Sequence, residues 1–302
     1  MAIYNSITDT IGGTPMVRLN KLSPAGSQVY VKIESKNPGG SIKDRAVLYM
    51  INDAETRGKL KAGGTIIEPT SGNTGIAIAM IAAARGYKAI LVMPDTMSKE
   101  RMAYMKAYGA ELVLTPGSLG MKGTIDKANE LVETIPNSII VGQFDNPANV
   151  LAHRLGTGRE ILADLPDVDY VVAGFGSGGT ISGIAWAFKD AGSDAKTVAV
   201  EPEESALLTA GSAGPHKIQG IGANFVPANL QMDVVTEVQT VKGDDAIAMA
   251  KTVTREEGIF IGISAGANIF KAIEIARKNP GSKVVAVIPD GGDKYVSMGI
   301  YD

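Results

Sequence analysis

Short, nearly continuous runs of Val, Ile, Leu and Ala alternate along this chain with longer stretches whose apolar residues return at helical spacing. The short runs predict strands buried on both faces, and the longer stretches predict helices that cover them. Strands are expected over Val29–Ile33, Thr65–Glu68, Ala89–Met93, Glu111–Leu114 and Ser138–Val141. Between them the pattern predicts helices from Ser41 toward Arg57, over Asn73–Arg85, from Ser98 to Tyr108, and over Lys122–Thr134. The punctuation agrees. Ser41 and Asp44 make a Ser-x-x-Asp capping pattern, Ser98 suits an N-cap, and Gly86, Pro94 and Gly109 stand where elements should stop. A second series follows, with helices Asn149–Leu162, Gly179–Asp190, Asp244–Glu257 and Ala265–Asn279. Its strands are Tyr170–Ala173, Thr197–Val200, Val234–Val241 and Lys283–Ile288.

This rhythm implies an α/β protein with mostly parallel, twisted sheets covered by helices. The loop-like stretch Gln143-Phe144-Asp145-Asn146-Pro147 separates the two series. Two domains are therefore expected, residues 1–147 and residues 148–302, the first smaller and the second larger. Ligands in such folds bind beyond the carboxyl ends of the strands. Two sequence turns sit there, Glu68-Pro69-Thr70-Ser71-Gly72-Asn73 and Ala173-Gly174-Phe175-Gly176-Ser177-Gly178.

Composition narrows the functional classes. The 302 residues are 45% hydrophobic and 20% charged, ordinary for a soluble globular protein. A net charge of −3, with no long basic run, argues against nucleic acid or an anionic membrane as partner. The absence of cysteine removes disulfides, thiolate metal sites and a cysteine nucleophile, and fits a reducing compartment. No apolar run is long enough to span a bilayer; Ile76 to Ala84 is too short. Met1 to Gly13 lacks the apolar core of a signal peptide, so a cytoplasmic location is expected. The only histidines, His153 and His216, are far apart and suggest neither a metal site nor a Ser-His-Asp triad.

Three segments carry candidate chemistry. Lys43 stands in the first turn of a predicted helix, after the tight Pro38-Gly39-Gly40 turn. A solvated lysine is the commonest explanation for any one lysine, but a helix N-terminus disfavours a cation. Gly176-Ser177-Gly178-Gly179-Thr180 lies between an apolar strand and an apolar helix, where free N–H groups can hold an anion. It is neither a P-loop nor a full Gly-x-Gly-x-x-Gly turn. Thr70, Ser71, Asn73 and Thr74 gather around Gly72, more donors than one helix cap needs, which suits a carboxylate. A lysine able to form a Schiff base, a phosphate cradle and a carboxylate loop are together the parts that hold pyridoxal phosphate and an amino acid. Ser264 reads on its own as the N-cap of the helix that follows, and Asp290-Gly291-Gly292-Asp293 as a polar turn.

Together these segments resemble the cysteine synthase (O-acetylserine sulfhydrylase) and cystathionine β-synthase family of pyridoxal-phosphate enzymes. The resemblance runs from Gly12-Gly13-Thr14-Pro15 to Ile288-Pro289-Asp290-Gly291-Gly292. Its most specific motifs are Pro69-Thr70-Ser71-Gly72-Asn73-Thr74-Gly75, Gln143-Phe144-Asp145-Asn146-Pro147-Ala148-Asn149 and Gly214-Pro215-His216-Lys217-Ile218-Gln219-Gly220. It implies the tryptophan-synthase-β-like fold, with a mobile part near residues 85–134 and residues 1–35 packed on the larger domain. It also implies roles. Lys43 would be the Schiff-base lysine and catalytic base. Asn73 would bond the cofactor's ring hydroxyl oxygen, Gly176, Ser177, Gly178, Gly179 and Thr180 would hold its phosphate, and Ser264 would face the pyridine nitrogen. Thr70, Ser71, Gly72, Thr74 and Gln143 would bind the substrate carboxylate, and Gly220 would line the cleft.

A neutral serine at the pyridine nitrogen weakens the electron sink, so charge should leave through the β-substituent. The implied reaction is O-acetyl-L-serine plus sulfide giving L-cysteine and acetate, through an α-aminoacrylate. The resemblance further implies a homodimer and admits a complex with a serine acetyltransferase. Departures from the usual pattern are Gly156-Thr157-Gly158-Arg159-Glu160-Ile161, Ala265 and Asn224, and none removes a catalytic role. Two alternatives stay open: the same replacement with homocysteine, giving cystathionine, and a non-catalytic module that binds a phospho-ligand. Cysteine desulfhydration would be a side activity.

Overall fold

The computed structural model describes residues 3–302. Strands β1 (Met16–Arg18) and β2 (Gln28–Ile33) open the chain. Strands β3 (Thr65–Pro69), β4 (Lys88–Pro94), β5 (Glu111–Thr115) and β6 (Ser138–Ile140) then form a parallel sheet of their own, in the order β5-β4-β3-β6. Strands β7 (Tyr170–Gly174), β8 (Lys196–Pro202), β9 (Glu237–Val241) and β10 (Lys283–Ile288) join the opening pair in a second sheet, ordered β1-β2-β10-β7-β8-β9. Among the named strands of the described residues, the edge pairing of β1 with β2 is antiparallel and the others are parallel. Strand β10 lies parallel between β2 and β7, with Val284 beside Val29 and Ile288 beside Ile33.

Helices α1 (Lys43–Thr56), α2 (Asn73–Arg85), α3 (Lys99–Ala107) and α4 (Gly120–Thr134) accompany the smaller sheet. Helix α2 packs on α1 and α3 and buries every residue from Thr74 to Ala82, which explains its unbroken Ile/Ala composition. Its core partners include Val47, Met50, Leu91, Met93 and Met105. The larger sheet carries α5 (Ala148–Ala152), α6 (Gly158–Asp164), α7 (Gly179–Asp190), α8 (Leu207–Ala210), α9 (Gly243–Glu257) and α10 (Ile263–Lys278). Its two faces bury separate clusters, one around Val172, Val198, Ile269 and Val284, the other around Val171, Ile181, Ile184 and Val285. Full burial of such a side chain contributes about 1.5–3 kcal/mol. Among the described residues, no helix is long and apolar enough to cross a membrane.

Several boundaries differ from the sequence pattern. The stretch expected as one helix over Asn149–Leu162 contains a π-helical turn, His153–Thr157, between α5 and α6. That turn sets His153 against the start of α7: His153 Nε2 lies 3.3 Å from Thr180 Oγ1, and Nδ1 lies 3.0 Å from Thr157 Oγ1. The Ser41/Asp44 capping box does not form. Ser41 Oγ accepts the Lys43 N–H, but the Asp44 carboxylate turns back to the Gly39 N–H at 2.6 Å. Helix α10 starts at Ile263 with Gly262 as N-cap, so Ser264 lies inside the first turn rather than capping it. The strand expected from Val234 begins only at Glu237, and the short edge strand β1 gave no pattern long enough to detect.

Candidate active site

Four helices start around one cavity. Its lining includes Lys43 of α1, Asn73 of α2, Thr180 of α7 and Ser264 of α10, with Gly176, Ser177, Gly178, Gly220, Asp290 and Tyr295 between them. Helix α1 is held at its start by cross-links to the turn after β10: Ile42 N–H donates to Pro289 O at 2.8 Å, and Ser41 bridges to Asp290. The Lys43 amine has no hydrogen-bond or ion-pair partner among the described residues. Burial pushes its pKa below the ordinary lysine value, and the nearby Asp290 charge opposes that only in part. An amine of that kind is the nucleophile that condenses with an aldehyde.

Gly176, Ser177, Gly178 and Thr180 line the cavity, and none of the backbone N–H groups from Gly176 to Thr180 has an acceptor among the described residues. Close approach explains the glycines. A Cβ at Gly176 would collide with Gly220 O, and one at Gly179 with Asn149 Oδ1. At Gly178, with φ +82°, a Cβ would lie 2.6 Å from Leu230 N. Ser177 Oγ accepts from Asn149 Nδ2 at 3.0 Å. This nest at the N-terminus of α7 matches a phosphate in charge and donor number.

The Thr70–Thr74 turn occupies the N-terminus of α2, which has no side-chain cap. The N–H groups of Ser71, Asn73 and Thr74 have no partner among the described residues. Thr74 Oγ1 donates to Gln143 Oε1 at 2.7 Å, which leaves the Gln143 amide N–H groups as donors. Gln143 is fixed from behind. Its carbonyl accepts from Asn149 Nδ2 at 2.7 Å and from Asn229 Nδ2 at 3.0 Å. Beneath it, Glu68 accepts the N–H groups of Val141, Gly142 and Gln143. Burial lifts Glu68 to about 7 in spite of those bonds. Asn149 therefore ties Gln143, beside the start of α2, to Ser177 in the loop before α7.

Ser264 is buried, and its hydroxyl, which has no partner among the described residues, lines the cavity. Asn73 is engaged at both ends of its amide: Nδ2 donates to Asp290 Oδ2 at 2.8 Å, and Oδ1 accepts from Lys294 Nζ at 2.9 Å. Gly220, with φ +91°, brings its loop against Gly176, and Gly222 N–H bonds Phe175 O at 3.1 Å. All the residues singled out for the cofactor thus meet at one cavity or its rim. Thr70, Ser71, Gly72, Thr74 and Gln143 group beside it on the smaller sheet's side.

Sequence reasoning missed the residues that hold this arrangement. Arg45 reaches Glu34 at 2.7 Å and Glu160 at 2.6 Å, and Glu160 also pairs with the buried Lys32 at 2.8 Å. Although burial opposes it, the Arg45 guanidinium holds Glu160 down to about 2. This network roots α1, and hence Lys43, in the larger sheet. Burial, and after it the neighbouring Arg45 charge, pushes the His153 pKa well below the ordinary histidine value. Asn149, Glu68 and Asp290 stand in segments the sequence singled out but with no role of their own, and Lys294 stands outside them; the fold buries all four.

The amine, phosphate nest and unclaimed Ser264 hydroxyl fit pyridoxal phosphate, and comparison with known proteins agrees. A family model described as pyridoxal-phosphate-dependent enzyme matches residues 7–290. A cysteine synthase of Staphylococcus aureus is 49% identical over 301 residues, spanning 98% of this chain and 97% of the relative. The crystal structure of an O-ureido-L-serine synthase superposes with a TM-score of 0.96 at 47% identity, over 100% of this chain and 96% of that one. A cysteine synthase structure from Entamoeba histolytica gives 0.95 at 42% identity, over 99% of this chain and 91% of that one. The chain belongs to the family of pyridoxal-phosphate-dependent enzymes that includes these cysteine synthases.

Proposed function

We propose that this enzyme makes L-cysteine and acetate from O-acetyl-L-serine and sulfide by β-replacement. One observation carries the reading: a buried, unpartnered lysine with a depressed pKa lines one cavity together with Asn73 at the uncapped start of α2, the glycine loop at the uncapped start of α7, and Ser264. The cysteine synthase relatives support the same activity. In this reading Lys43 carries the cofactor on its amine, and Gly176–Thr180 and Ser264 hold the phosphate and the ring nitrogen. Bound pyridoxal phosphate supplies the electron-withdrawing ring that lets the substrate Cα–H bond break. Thr70, Ser71, Gly72, Thr74 and Gln143 hold the substrate carboxylate, which turns Cα toward the Lys43 amine. Lys43, once released, takes the α-proton as a base.

The unit built on the smaller sheet, residues 1–147 apart from the roughly 1–35 that join the larger unit through β1 and β2, has its mobile part near 85–134 and closes on the larger unit, excluding water while the β-carbon is reactive. A homodimer would cover the exposed apolar side chains Ile3, Tyr4, Ile7, Leu151 and Leu155, and a cytoplasmic location goes with this reading. The deciding assay measures cysteine and acetate from O-acetyl-L-serine with sulfide, against homocysteine as the competing nucleophile. Preferential cystathionine formation, or no product with either nucleophile, would overturn the reading.

A further inference from the structure

We propose that Asp290 and Lys294 are positioning residues that fix the Asn73 amide, so that one of its N–H bonds is held free toward the cavity lined by Lys43. The proposal rests on the reading that pyridoxal phosphate occupies that cavity with its ring hydroxyl oxygen beside Asn73.

The argument is one of donors and acceptors. A carboxylate only accepts hydrogen bonds and an ammonium only donates them. Asn73 Nδ2 meets Asp290 Oδ2 at 2.8 Å, and Asn73 Oδ1 meets Lys294 Nζ at 2.9 Å. A flipped amide would set oxygen against the carboxylate and N–H against the ammonium, losing both bonds to charged partners. The orientation of Asn73 is therefore dictated by its neighbours. Nδ2 carries two hydrogens, and one is used by Asp290. The other has no acceptor among the described residues, on a side chain that lines the cavity.

The two charged residues are themselves anchored. Asp290 is fully buried; its carboxylate also accepts from Tyr295 Oη at 2.8 Å, and its carbonyl accepts the Gly262 N–H. Lys294 is buried and donates a second bond to Gly40 O at 2.9 Å. A buried cation and anion with a neutral amide between them are a costly way to fasten a turn. They are an economical way to aim an amide, because each end is told which atom to present. An N–H held toward the ring oxygen stabilises that oxygen in its anionic form, which sets the visible absorption of the bound cofactor.

The test uses the protein stripped of cofactor and titrated with pyridoxal phosphate, reading the visible band and the dissociation constant. Lys294→Met removes the donor to Oδ1, and Asp290→Asn lets residue 290 present either oxygen or nitrogen. Both should shift the band and weaken cofactor affinity about tenfold, the loss of roughly one hydrogen bond. Lys294→Arg should restore the wild-type band, and the exposed Asp293→Asn, in the same segment, should match wild type. If Lys294→Met does not fold by circular dichroism, Asp290→Asn decides. Wild-type band and affinity in the folded variants would overturn the proposal, as would an equal shift in Asp293→Asn. A wild-type protein with no visible band would instead overturn the cofactor reading, and the positioning role with it.

Discussion

Gly178→Ala is the sharpest test of the phosphate cradle, because the structure separates its two costs. Gly178 has φ +82°, and an L side chain in that region costs about 1–2 kcal/mol. Its Cβ would also lie 2.6 Å from Leu230 N and 2.7 Å from Leu230 Cα, so backbone must move; overpacking of that kind costs about 1–3 kcal/mol. Gly211→Ala is the matched control. It has φ +69° and nothing within 4 Å of the new Cβ, so it carries the backbone cost alone. The difference between the variants isolates the collision at Leu230. If the loop yields by moving its N–H groups off the phosphate, cofactor affinity should fall about five- to hundredfold in Gly178→Ala relative to Gly211→Ala. Thermal melts of both variants check the backbone cost, and titration of cofactor-free protein with pyridoxal phosphate gives the affinity. Equal dissociation constants in the two variants would refute the claim that these N–H groups hold the phosphate.

Lys43→Ala should bind pyridoxal phosphate only noncovalently, with no band bleached by borohydride, and lose turnover by about 10²–10⁴-fold or more; near-normal turnover would sink its assignment. Ser264→Asp should hold the ring nitrogen protonated, change the visible spectrum and slow acetate release, whereas Ser264→Ala should lose about 1 kcal/mol of cofactor binding. A Ser264→Asp enzyme matching wild type in both readouts removes that role. Ser71→Ala and Gln143→Ala should raise KM for O-acetyl-L-serine while leaving bound cofactor in place, and substrate should slow hydrogen exchange over residues 93–115. Unchanged KM together with unchanged exchange counts against closure on the carboxylate. Glu68 gives a pH test. Burial lifts it from the ordinary 4.5 to about 7, so the folded protein keeps this proton after the unfolded chain has lost it. Its contribution to stability is greatest below about 4.5 and falls by about 3 kcal/mol as pH rises to about 7. Glu68→Gln should flatten urea-unfolding stability across that window. Asp44, also lifted to about 7 by burial, leaves part of the slope. Equal slopes in variant and wild type would contradict the assignment.

The alternation of buried strands and helices was legible because parallel strands covered on both faces must be apolar throughout, as β4 and β10 are. The site's glycines and hydroxyls were legible because they stand at turns between strand and helix, where backbone must approach a ligand. Sequence could not show what fixes them. Asp290 reads as a turn residue, yet it is fully buried beneath Asn73 and joined to it across the whole intervening chain. The π-helical turn at His153 leaves no periodic mark, since a single extra residue within a helix shifts the apolar face only locally. Arg45, Glu34, Glu160 and Lys32 look like ordinary surface charges until the fold brings them together. Long-range pairing of charges has no local sequence pattern, whereas helix ends and strand ends do.

The convergence of four helix N-termini gives the cavity its chemistry before any ligand arrives. Each helix start presents unpaired N–H groups and a partial positive charge, roughly half an elementary charge per terminus. Helices α2 and α7 have no side-chain cap, so their N–H groups are left for anions from outside. One terminus suits a carboxylate and the other a phosphate, which selects a ligand pair with separated negative ends. The same field acts on Lys43, placed at the first residue of α1. A cation there is disfavoured by burial, by its own helix and by the neighbouring termini, while the nearby Asp290 charge favours it. Burial first, and the helix termini beside it, both favour an uncharged amine on Lys43. Replacing Asp290 by a neutral residue should push the Lys43 pKa lower still and widen the pH range in which its amine is unprotonated. Borohydride trapping of pyridoxal phosphate on Lys43, measured as a function of pH, should then extend to lower pH in Asp290→Asn than in wild type. No shift, or a shift in the opposite direction, would mean that the Asp290 charge does not hold up the pKa of that amine.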